Sequence, residues 1–565
     1  MISLGINYSG LHDSAACIVR DGQVLFAVAE ERLSRLKHDS GFPIRAIRSC
    51  LDFANVEPSD LDCVCQSWPL PGTQIYHDLK CMLTGKQPIS YIGLASLVLH
   101  GMKGVRDRGG QKSFRRCFGE SRAQFRWEDH HLSHAISAYA MSGFDDSAVL
   151  VIDGRGAWEA TSLWHGRDGR LERMWTIPWP NSLGLFYARF TEYLGFTPYS
   201  DEWKVMGLAP YGEAGVDLRA FLNPDKHPYR VDSRMLLRAD SRIRALFESR
   251  LGPARIPESE LETRHKDLAF AVQDLCEVAM LNLARIAVRQ AGTRNLCLAG
   301  GVALNSKANG KILSSGIVDR IFVQPAAGDD GACIGAALAP YLDHGGSLPM
   351  TEMRHAYLGP ECSETEIESA FQACKLRPVR LSDPAGVAAA LLEKGKIIGW
   401  FQGRMEFGPR ALGNRSILAD PRDPKMTEKV NNAVKFREWW RPFAPSVLSE
   451  SAHEFFESAT DSPFMILTAQ VRPEKRNVIP AVTHIDGSAR PQTVERDVSP
   501  LYWRLISEFG RRTGVPVVLN TSFNLRGEPI VNSVFDAVRT FFTSGMDALV
   551  IGHFLVEKET GTQVG

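Results

Sequence analysis

The N-terminal stretch ISLGINYSGLHDSAACIVRDGQVLFAV (residues 2–28) decides the fold of this 565-residue chain. It contains three apolar runs: Ile2–Gly5, Ala15–Val19 and Val24–Val28. The polar loop between the first two runs holds His12 and Asp13, and the last two runs are joined by Arg20-Asp21-Gly22. An Asp-Gly pair between apolar runs predicts a β-hairpin. The stretch is therefore predicted to form a strand, a polar loop, a second strand, a tight turn and a third strand.

The same pattern recurs about 140 residues later, as expected of an internal repeat. The apolar run Ala148–Ile152 leads into Asp153-Gly154-Arg155-Gly156, and Thr161–Trp164 precedes a further turn at Gly166–Gly169. Asp153 is expected at the carboxyl end of its strand, where α/β folds bind ligands. Two such units predict an α/β domain made of the duplicated halves of the actin–hexokinase (ASKHA) ATPase fold, in which the first polar loop lies against phosphates.

The chain is too long for a single hydrophobic core, so two or more domains are expected. Glycine and proline loosen the chain near His344–Pro360. We therefore predict an N-terminal domain over 1–345, a linker over 346–359 and a C-terminal α/β domain over 360–565. Within the first domain, the basic region 74–122 is predicted to be helical and is assigned no chemistry, and Glu30–His38 is typical of a solvated helix face.

Composition limits the classes of partner. Lys plus Arg and Asp plus Glu both number 65, so the chain has no net field to attract nucleic acid or an anionic membrane. The 11 cysteines lack paired spacing, which indicates reduced thiols. The N-terminus does not have the pattern of a signal peptide, and the apolar run Tyr91–Leu99 is too short to span a bilayer. These features predict a cytoplasmic protein with no membrane partner and leave open whether it forms a homodimer.

A metal site is suggested by His130 and His134, which lie four residues apart and would share one face of a helix. Asp153 and Asp329, each in a glycine-flanked loop, would complete a set of two histidines and two carboxylates that suits Fe(II) or Mn(II). The alternatives are a polar helix start for the histidines and helix-dipole capping for Asp329. No glutamate follows either histidine as in HExxH peptidases. His131 is left outside the set.

Two further regions carry residues that could bind nucleotide or phosphate. Strand Leu296–Leu298 runs into Gly300-Gly301 and Asn305 before a helix, an arrangement that places main-chain amides beside a ligand, although it also serves tight packing. Lys204 begins a Gly- and Pro-containing loop expected over the same site. In the C-terminal half, cationic and polar residues stand among glycines, prolines and aromatics: Arg404, Arg410, Arg415, Lys435, Arg437, Arg441, Arg490, Ser522, Asn524 and Arg526.

Guanidinium groups bind phosphate oxygens in a bidentate manner, so the C-terminal set predicts a pocket for ATP phosphates and a second small phosphate. The alternative is a set of structural ion pairs with Glu406, Glu438 and Glu528.

In combination these motifs resemble the O-carbamoyltransferase family of nodulation protein NodU and antibiotic-tailoring enzymes. The resemblance runs from residue 5 to about 531 and rests on HDSAA (12–16), EERLSRLKH (30–38), DHHLSHA (129–135), KVMGLAPYG (204–212), GGVALN (300–305), GRMEFGPRALGNRSI (403–417) and NTSFN (520–524). One departure is Ala157, which stands where members carry a Glu after Asp-Gly-x-Gly; Glu159 follows two residues later.

The resemblance implies an ASKHA-type N-terminal domain and a YrdC-like C-terminal domain. The latter would form carbamoyladenylate from carbamoyl phosphate and ATP with Mg, and the former would transfer the carbamoyl group to a hydroxyl of a small-molecule acceptor. His130, His134, Asp153 and Asp329 match the family's metal ligands, for Fe(II) or another divalent ion. His12 matches its N-terminal histidine. Lys435, Arg490 and Ser522 match positions that bind carbamoyl phosphate or nucleotide.

His12 is our candidate general base, with Asp13 to orient it, because an imidazole with an ordinary pKa of about 6.5 suits proton transfer. The alternative is a loop histidine that bonds the main chain. Three competing functions remain open: carbamoyl modification of a protein or tRNA, an ASKHA-type kinase or ATPase, and a non-catalytic metal-binding protein. Nothing in the sequence identifies the acceptor.

Overall fold

The computed structural model describes residues 1–70, 72–73, 105–226, 228–232, 241–343, 347–348, 351–457 and 461–558. They form two compact units. Unit 1 comprises Met1–Glu30 and His38–Met353, and unit 2 comprises Glu31–Lys37 and Arg354–Gly565. The chain enters unit 2 at Glu31, returns to unit 1 at His38 and enters unit 2 again at Arg354. The apolar run at 91–99 and most of the basic region 74–122 lie outside the described residues.

Unit 1 contains two five-stranded sheets with the same topology. The first has the order β3-β2-β1-β4-β5, with β1 Ile2–Asn7, β2 Ala15–Arg20, β3 Gln23–Ala29, β4 Cys63–Gln66 and β5 Gln124–Trp127. In it β1, β2 and β3 pair antiparallel, whereas β4 pairs parallel with β1 and with β5.

The second sheet is formed by strands on both sides of a short two-stranded ribbon in the chain. Its strands are β6 Asp146–Ile152, β7 Glu159–Arg167, β8 Arg170–Pro178, β11 Asn295–Ala299 and β12 Arg320–Val323, and the ribbon is β9 Leu222–Asn223 with β10 Arg230–Val231. The order β8-β7-β6-β11-β12 and the strand directions repeat those of the first sheet. The repeated pattern in the sequence therefore corresponds to two topologically equivalent sheets.

The helices of the first part of the chain are α1 Glu30–Ser34, α2 Ile44–Ala54, α3 Gln111–Phe118, α4 His130–Tyr139, α5 Leu183–Tyr193, α6 Glu202–Leu208, α7 Ser241–Leu251, α8 Thr263–Ala291, α9 Ser306–Ser314 and α10 Ala332–Asp343. Helix α10 packs on β1, β2 and β4 of the first sheet, and α4 packs on β6 and β11 of the second. The two helices also pack on each other. A Cβ on Gly335 of α10 would overlap the carbonyl oxygen of Ser133 in α4, so glycine permits this close approach.

Unit 2 is built on a mixed eight-stranded sheet of order β13-β22-β21-β14-β15-β20-β16-β19. Its strands are β13 Val379–Arg380, β14 Ile398–Phe401, β15 Arg415–Ala419, β16 Ala444–Leu448, β19 Gln492–Val494, β20 Val517–Ser522, β21 Ala548–Ile551 and β22 Phe554–Glu557, and a two-stranded ribbon comprises β17 Ala469–Gln470 and β18 Ser488–Ala489. The helices are α11 Glu364–Ala373, α12 Pro384–Glu393, α13 Met426–Val430, α14 Ala452–Phe455, α15 Pro500–Thr513 and α16 Val534–Phe542.

Helices cover both faces of this sheet, because successive side chains of a strand point to opposite faces. Ile417 belongs to the apolar core that includes α11 and α16, whereas Leu418 belongs to the core that includes α12 and α15. The pair Asp423-Pro424 is typical of a helix N-cap and first turn and predicts a helix that begins there. Helix α13 instead begins at Met426 with Lys425 as its N-cap, two residues later than predicted. There the Asp423 side chain accepts the Lys425 N–H at 2.9 Å and closes a local turn instead.

The segment 31–37 differs from the predicted solvated helix face. Arg32 is buried and donates to the Gly408 carbonyl at 3.1 Å. Arg35 donates to the carbonyls of Ile530 at 2.6 Å and Pro529 at 2.8 Å. Main-chain carbonyls, together with ion pairs from Arg32 to Glu31 at 2.8 Å and from Arg35 to Asp536 at 3.3 Å, partner these guanidinium groups and allow a charged stretch to be enclosed. Among the described helices, none combines the length and the apolar character needed to cross a membrane.

Candidate functional site

The histidine pair is positioned by the start of helix α4. Asp129 is the N-cap residue, and its Oδ1 accepts the Leu132 N–H at 2.8 Å. Its Oδ2 forms an ion pair with Arg173 of β8 at 2.9 Å. The cap satisfies one free amide of the first turn, and the ion pair ties that turn to the sheet. His130 and His134 therefore project from a helix start that is held at two points.

The four predicted metal ligands meet in one buried cluster. His130 Nε2 lies 3.5 Å from Asp153 Oδ2 and 3.6 Å from Asp329 Oδ1. His134 Nε2 lies 3.8 Å from Asp329 Oδ1 and 3.2 Å from His130 Nε2. Asp153 follows β6, and Asp329 lies in the turn that precedes α10. The chain thus brings together, at one place, residues that are up to 199 positions apart (329 minus 130).

The spacing of these atoms fits a metal ion. Histidine and carboxylate ligands at about 2.1 Å from one ion have neighbouring donor atoms about 3.0–3.5 Å apart. The four ligand atoms here all lie within 4.8 Å of one another, with the closest pairs at 3.2–3.8 Å. Two imidazoles and two carboxylates are the donor set preferred by Fe(II), Mn(II) or Zn(II). A divalent cation would also balance the two negative charges.

The groups around the cluster fix the orientation of its ligands. His130 Nδ1 lies 3.1 Å from the Ser67 carbonyl, which favours a proton on Nδ1 and leaves Nε2 as the donor to a metal. The Trp68 indole stacks on the His130 ring, with centroids 3.9 Å apart. Asp153 Oδ1 accepts the Gly301 N–H at 3.1 Å. The Ser67 contact uses a main-chain carbonyl, so no side-chain motif could have predicted it.

The charges of the cluster perturb its protonation. Burial alone would lower the pKa of His130, but the Asp329 and Asp153 carboxylates outweigh it and raise that pKa to about 10. Burial would raise the pKa of Asp153, but the hydrogen bond from His130 lowers it to about 2. The pKa of Asp329 is likewise held well below its usual value. The two carboxylates therefore demand a positive charge, supplied either by a proton or by a cation.

His131 lies outside the cluster of four ligand residues. Its Nδ1 lies 2.8 Å from the hydroxyl of Ser162, and burial lowers its pKa to about 3, so it is neutral. Glu159 closes this side: its Oε1 accepts from Arg173 at 2.8 Å and its Oε2 lies 3.4 Å from His131 Nδ1. Burial raises the pKa of Glu159 to about 7. Arg173 was not predicted from the sequence, since a lone arginine on a half-exposed strand carries no signal.

The predicted base, His12, lies within electrostatic reach of the cluster. Its Nδ1 is 3.1 Å from Asp13 Oδ2. Burial alone would lower its pKa, but the hydrogen bond to Asp13 and the charges of Asp329 and Asp153 raise it to about 9. In the absence of a cation His12 is therefore protonated at neutral pH.

The predicted nucleotide residues of unit 1 are placed as follows. Gly300 has φ +88°, and a Cβ there would overlap the Ile152 carbonyl, so this turn packs tightly against the end of β6. The Gly301 amide is engaged by Asp153, as described above. Asn305 caps α9 by accepting the Ala308 N–H at 3.1 Å. Lys204 forms an ion pair with Asp201 at 3.0 Å. Gly301 thus contacts the predicted metal ligand Asp153, and Gly300 packs against the residue that precedes it.

Unit 2 gathers several of its predicted cations. Burial lowers the pKa of Arg490 well below its usual value, and repulsion from Arg410, Arg437 and Arg441 lowers it further. Burial also lowers the pKa of Arg410 to about 10. The buried Nε atoms of Arg410 and Arg490 have no hydrogen-bond acceptor within the described part of the chain. A cluster of enclosed like charges with unused donors is typical of an anion-binding site.

Lys435 joins this group from the adjoining π-helical turn Asn431–Lys435. It is 5% exposed, and its ammonium group donates to Asn524 Oδ1 at 2.9 Å, to the Asn524 carbonyl at 3.1 Å and to Ser522 Oγ at 3.2 Å. Burial, with repulsion from Arg437 and Arg441, holds its pKa well below the usual value. The polar run that follows β20 therefore contacts Lys435.

Three predicted cations have other surroundings. Arg415 is fully buried and donates to the carbonyls of Gln402 at 2.6 Å and Gly403 at 3.0 Å. Arg404 donates to the Leu358 carbonyl at 2.6 Å, and Arg526 is exposed. Of the ion pairs considered as the alternative, Arg441 pairs with Glu438 at 3.3 Å. Glu406 accepts three main-chain N–H groups, and Glu528 pairs with Arg539 at 3.3 Å.

Comparisons with known proteins agree along most of the chain. The family model "Carbamoyltransferase N-terminus" matches residues 3–338, and "Carbamoyltransferase C-terminus" matches residues 389–558. Nodulation protein NolNO of Sinorhizobium fredii is 42% identical over 575 residues, which cover 99% of this chain and 81% of that protein. Nodulation protein NolO of Bradyrhizobium diazoefficiens is 43% identical over 443 residues, covering 76% of this chain and 79% of that protein.

Among solved structures, full-length HypF in its phosphate- and nucleotide-bound form aligns over 61% of this chain and 56% of that chain. The TM-score is 0.36 and the identity 12%, a level of similarity from which we draw no argument.

Proposed function

The chain belongs to the carbamoyltransferase family and is a transferase, and we propose that it is an ATP-dependent O-carbamoyltransferase whose two units divide the reaction. Unit 2, with a YrdC-like fold, forms carbamoyladenylate from carbamoyl phosphate and ATP. Unit 1, with an ASKHA-type fold, transfers the carbamoyl group to a hydroxyl of a small-molecule acceptor. The single observation that carries the proposal is that the same chain contains both clusters: two histidines with two carboxylates in unit 1, and buried cations in unit 2.

The chemistry of unit 2 requires strong anion binding. Carbamoyl phosphate and water give carbamate and phosphate; a carbamate oxygen then attacks the α-phosphorus of ATP, and pyrophosphate leaves with the electron pair of the broken bond. Arg410, Arg437 and Arg490 suit this reaction because their planar guanidinium groups match phosphate oxygens and offset the charge that collects on them. Burial and then repulsion from Arg437 and Arg441 lower the pKa of Lys435 in the same cluster. Binding of phosphates would relieve this repulsion.

Transfer in unit 1 follows a balanced step. The acceptor hydroxyl oxygen bonds to the carbamoyl carbon, the bond from that carbon to the phosphate oxygen breaks, and AMP leaves with the electron pair. A divalent ion, for which we propose Fe(II), held by His130, His134, Asp153 and Asp329 would supply Lewis-acid polarisation and offset the charge of both carboxylates. Offsetting that charge would remove the part of the rise in the pKa of His12 that comes from Asp329 and Asp153, while the hydrogen bond to Asp13 would still raise it.

His12 then accepts the hydroxyl proton. Its Nδ1 is engaged by Asp13 at 3.1 Å, so Nε2 is the atom free to receive a proton. The enclosed ligand cluster, with side chains 0–8% exposed, limits competing hydrolysis of a reactive mixed anhydride.

The nucleotide products test this proposal against the competing functions. The protein, loaded with metal, is incubated with carbamoyl phosphate, ATP and a panel of hydroxylated acceptors, and nucleotides and acceptors are followed by chromatography and mass spectrometry. We expect AMP, pyrophosphate and a carbamoylated acceptor. Formation of ADP with a phosphorylated acceptor would instead indicate a kinase, and carbamoylation of protein or tRNA alone would indicate the macromolecular alternative.

Variants test the division between the units. Arg490→Ala is expected to abolish AMP formation from ATP while added carbamoyladenylate is still consumed. His130→Ala with His134→Ala is expected to retain carbamoyl-phosphate-dependent exchange of labelled pyrophosphate into ATP but to lose metal and transfer. Arg511→Ala is the matched control, since Arg511 is an exposed arginine of unit 2 paired with Glu508. Loss of both half-reactions in either variant would contradict the division of labour.

A further inference from the structure

His38 completes a chain of hydrogen bonds that begins at His12. Asp13 Oδ2 lies 3.1 Å from His12 Nδ1, and Asp13 Oδ1 lies 2.7 Å from His38 Nδ1. The other ring nitrogen of His38, Nε2, lies 3.0 Å from the hydroxyl of Ser200. One carboxylate thus accepts from two imidazoles, and the second imidazole is itself fixed by a hydroxyl. Nothing in the sequence analysis assigned a role to His38 or Ser200.

Both ends of the Asp13–His38 bond have an unfavourable backbone conformation. Asp13 has φ +54° and His38 has φ +55°, in the left-handed region that non-glycine residues rarely adopt. Such conformations cost free energy and persist where the surrounding structure imposes them, often at functional sites. Asp13 and His38 both adopt this unfavourable backbone conformation, and their side chains are 2.7 Å apart. The fold therefore holds both residues in a conformation that brings these side chains into contact.

The main chain holds the two residues in place from both sides. The Ser14 N–H donates to the Asp39 carbonyl at 2.9 Å, which sets residues 13–14 beside 38–39. The Asn7 side chain at the end of β1 donates to the Asp13 carbonyl at 2.7 Å. The Glu30 N–H donates to the Ser14 carbonyl at 2.8 Å. These hydrogen bonds hold the backbone of residues 13–14 and so help to orient the Asp13 carboxylate independently of the two imidazoles.

We propose that His38 is a positioning residue for the carbamoyl-transfer step: by donating from Nδ1 to Asp13 it fixes that carboxylate, which in turn holds His12 with Nδ1 protonated and Nε2 free. This role rests on the proposed function, in which His12 accepts the hydroxyl proton. The Asp13 carboxylate, which can only accept, requires the proton of His38 on Nδ1, so His38 Nε2 accepts from the Ser200 hydroxyl, which holds the ring in place.

The electrostatics of Asp13 agree with this arrangement. Burial would raise its pKa, but the hydrogen bonds from His12 and His38 lower it to about 2, so it remains a carboxylate that accepts from both rings. Without His38, one oxygen of Asp13 loses its donor and the carboxylate can rotate. His12 would then sample the wrong tautomer or ring orientation and would lose efficiency as a base.

A simple loop-anchoring role for His38 makes a different prediction. An anchor would lower the population of folded unit 1 and would act independently of Asp13. A positioning residue acts through Asp13, so its loss has no further effect once the Asp13 carboxylate is gone. The double-mutant cycle of His38→Ala and Asp13→Ala separates the two roles.

The assay follows AMP release from added carbamoyladenylate by the metal-loaded full-length protein, with water as the acceptor. Water attacks the carbamoyl carbon, its proton goes to His12, and carbamate and AMP are formed. We expect His38→Ala to lower kcat about 10- to 100-fold, as for other orienting hydrogen-bond partners, and to change KM less than about twofold. His38→Asn, whose amide can donate in place of Nδ1, is expected to recover most of the activity.

Three comparisons complete the test. In the Asp13→Ala background, addition of His38→Ala is expected to change kcat less than about twofold. His165→Ala is the matched control and is expected to retain wild-type kcat, because His165 forms a 3.0 Å pair with Asp146 at the opposite end of β6 from Asp153. Carbamoyl-phosphate-dependent exchange of labelled pyrophosphate into ATP, a reaction of unit 2, is expected to be unchanged in every variant.

The role of His38 would be overturned by wild-type kcat in His38→Ala, by full additivity with Asp13→Ala, or by equal loss in His38→Ala and His38→Asn. A wild-type protein that exchanges pyrophosphate but never consumes carbamoyladenylate would overturn the proposed transfer in unit 1, and the role of His38 with it. These outcomes differ in the wild-type measurement, so the two failures are distinguishable.

Discussion

Replacement of Asp129 tests how the start of helix α4 supports the metal cluster. Its Oδ1 accepts the Leu132 N–H at 2.8 Å, and its Oδ2 pairs with Arg173 at 2.9 Å. Asp129→Ala removes both interactions, whereas Asp129→Asn keeps a capping oxygen and removes the ion pair, since Asn caps helices about as well as Asp. The adjacent residue, His130, is a candidate metal ligand, so fraying of this turn would oppose metal binding.

The expected magnitudes follow from the two contacts. Loss of an N-cap costs about 1 kcal/mol. The ion pair, whose side chains are 31% and 22% exposed, contributes up to about 1 kcal/mol. If the turn frays in the metal-free variant, the whole loss, about 2 kcal/mol, appears in metal affinity, which is a rise in Kd of up to about 30-fold. For Asp129→Asn the corresponding limit is about fivefold.

The measurement is calorimetric titration of the metal-stripped full-length protein with Mn(II), which avoids oxidation of Fe(II). Asp319→Ala is the control, because Asp319 forms an exposed ion pair with Arg294 in the same unit. We expect Kd to rise in the order wild type, Asp129→Asn, Asp129→Ala. Unchanged affinity in Asp129→Ala, or a larger loss in Asp129→Asn than in Asp129→Ala, would refute the reasoning.

Three further predictions concern packing, a buried cation and pH. Gly335→Ala is expected to push α10 away from the Ser133 carbonyl, because the added Cβ would overlap that oxygen. The overpacking should destabilise the protein by about 1–3 kcal/mol, which lowers the melting temperature, and should weaken Mn(II) binding. An unchanged melting temperature would contradict the close approach of the two helices. Arg415→Met is expected to lower the free energy of unfolding of unit 2 by about 2–3 kcal/mol in urea, because buried carbonyls lose their hydrogen-bond donor. The folded fraction should retain pyrophosphate exchange. Loss of exchange at full stability would instead assign Arg415 to the anion site. The third prediction concerns pH in the metal-free protein. Asp13 has its pKa lowered to about 2, so it contributes stability above its ordinary pKa of 3.8, and this contribution is lost as the pH falls through 2. His12 has its pKa raised to about 9, so it contributes stability below pH 6.5, and this contribution is lost as the pH rises through 9. The melting temperature should therefore be flattest between pH 3.8 and 6.5. His12→Asn should make the alkaline decline shallower without abolishing it, because His130, with its pKa raised to about 10, contributes to the same decline. A variant that declines as steeply as wild type would refute the assignment.

Local patterns were sufficient to predict much of the fold. The Asp-Gly turns and alternating apolar runs predicted the hairpins of both sheets, because hairpin geometry depends on neighbouring residues. Asp153 was predicted at a strand end and lies directly after β6. The helix start at His130 was also visible, since its cap and histidine spacing are local. At Asp423, where the side chain closes a local turn instead of capping the helix, the helix start was misplaced by two residues.

Contacts between distant segments were beyond such patterns. The Arg35 guanidinium contacts carbonyls almost 500 positions away, so a stretch that seemed solvated from its charge is enclosed. The Gly301 amide, predicted to face a nucleotide, donates to Asp153. Arg415 and Arg490 look alike in sequence, yet one is satisfied by carbonyls and the other stands among like charges.

The sequence by itself determined which residues could hold a metal, which could bind phosphates and in what order the strands and helices occur, because residue type and short spacing govern those properties. Only the tertiary structure decided that His130, His134, Asp153 and Asp329 share one cluster, and that His38 reaches Asp13. The physical reason is that donor distances of 3–4 Å depend on how two sheets and two helices pack, and packing is a property of the whole chain rather than of any segment.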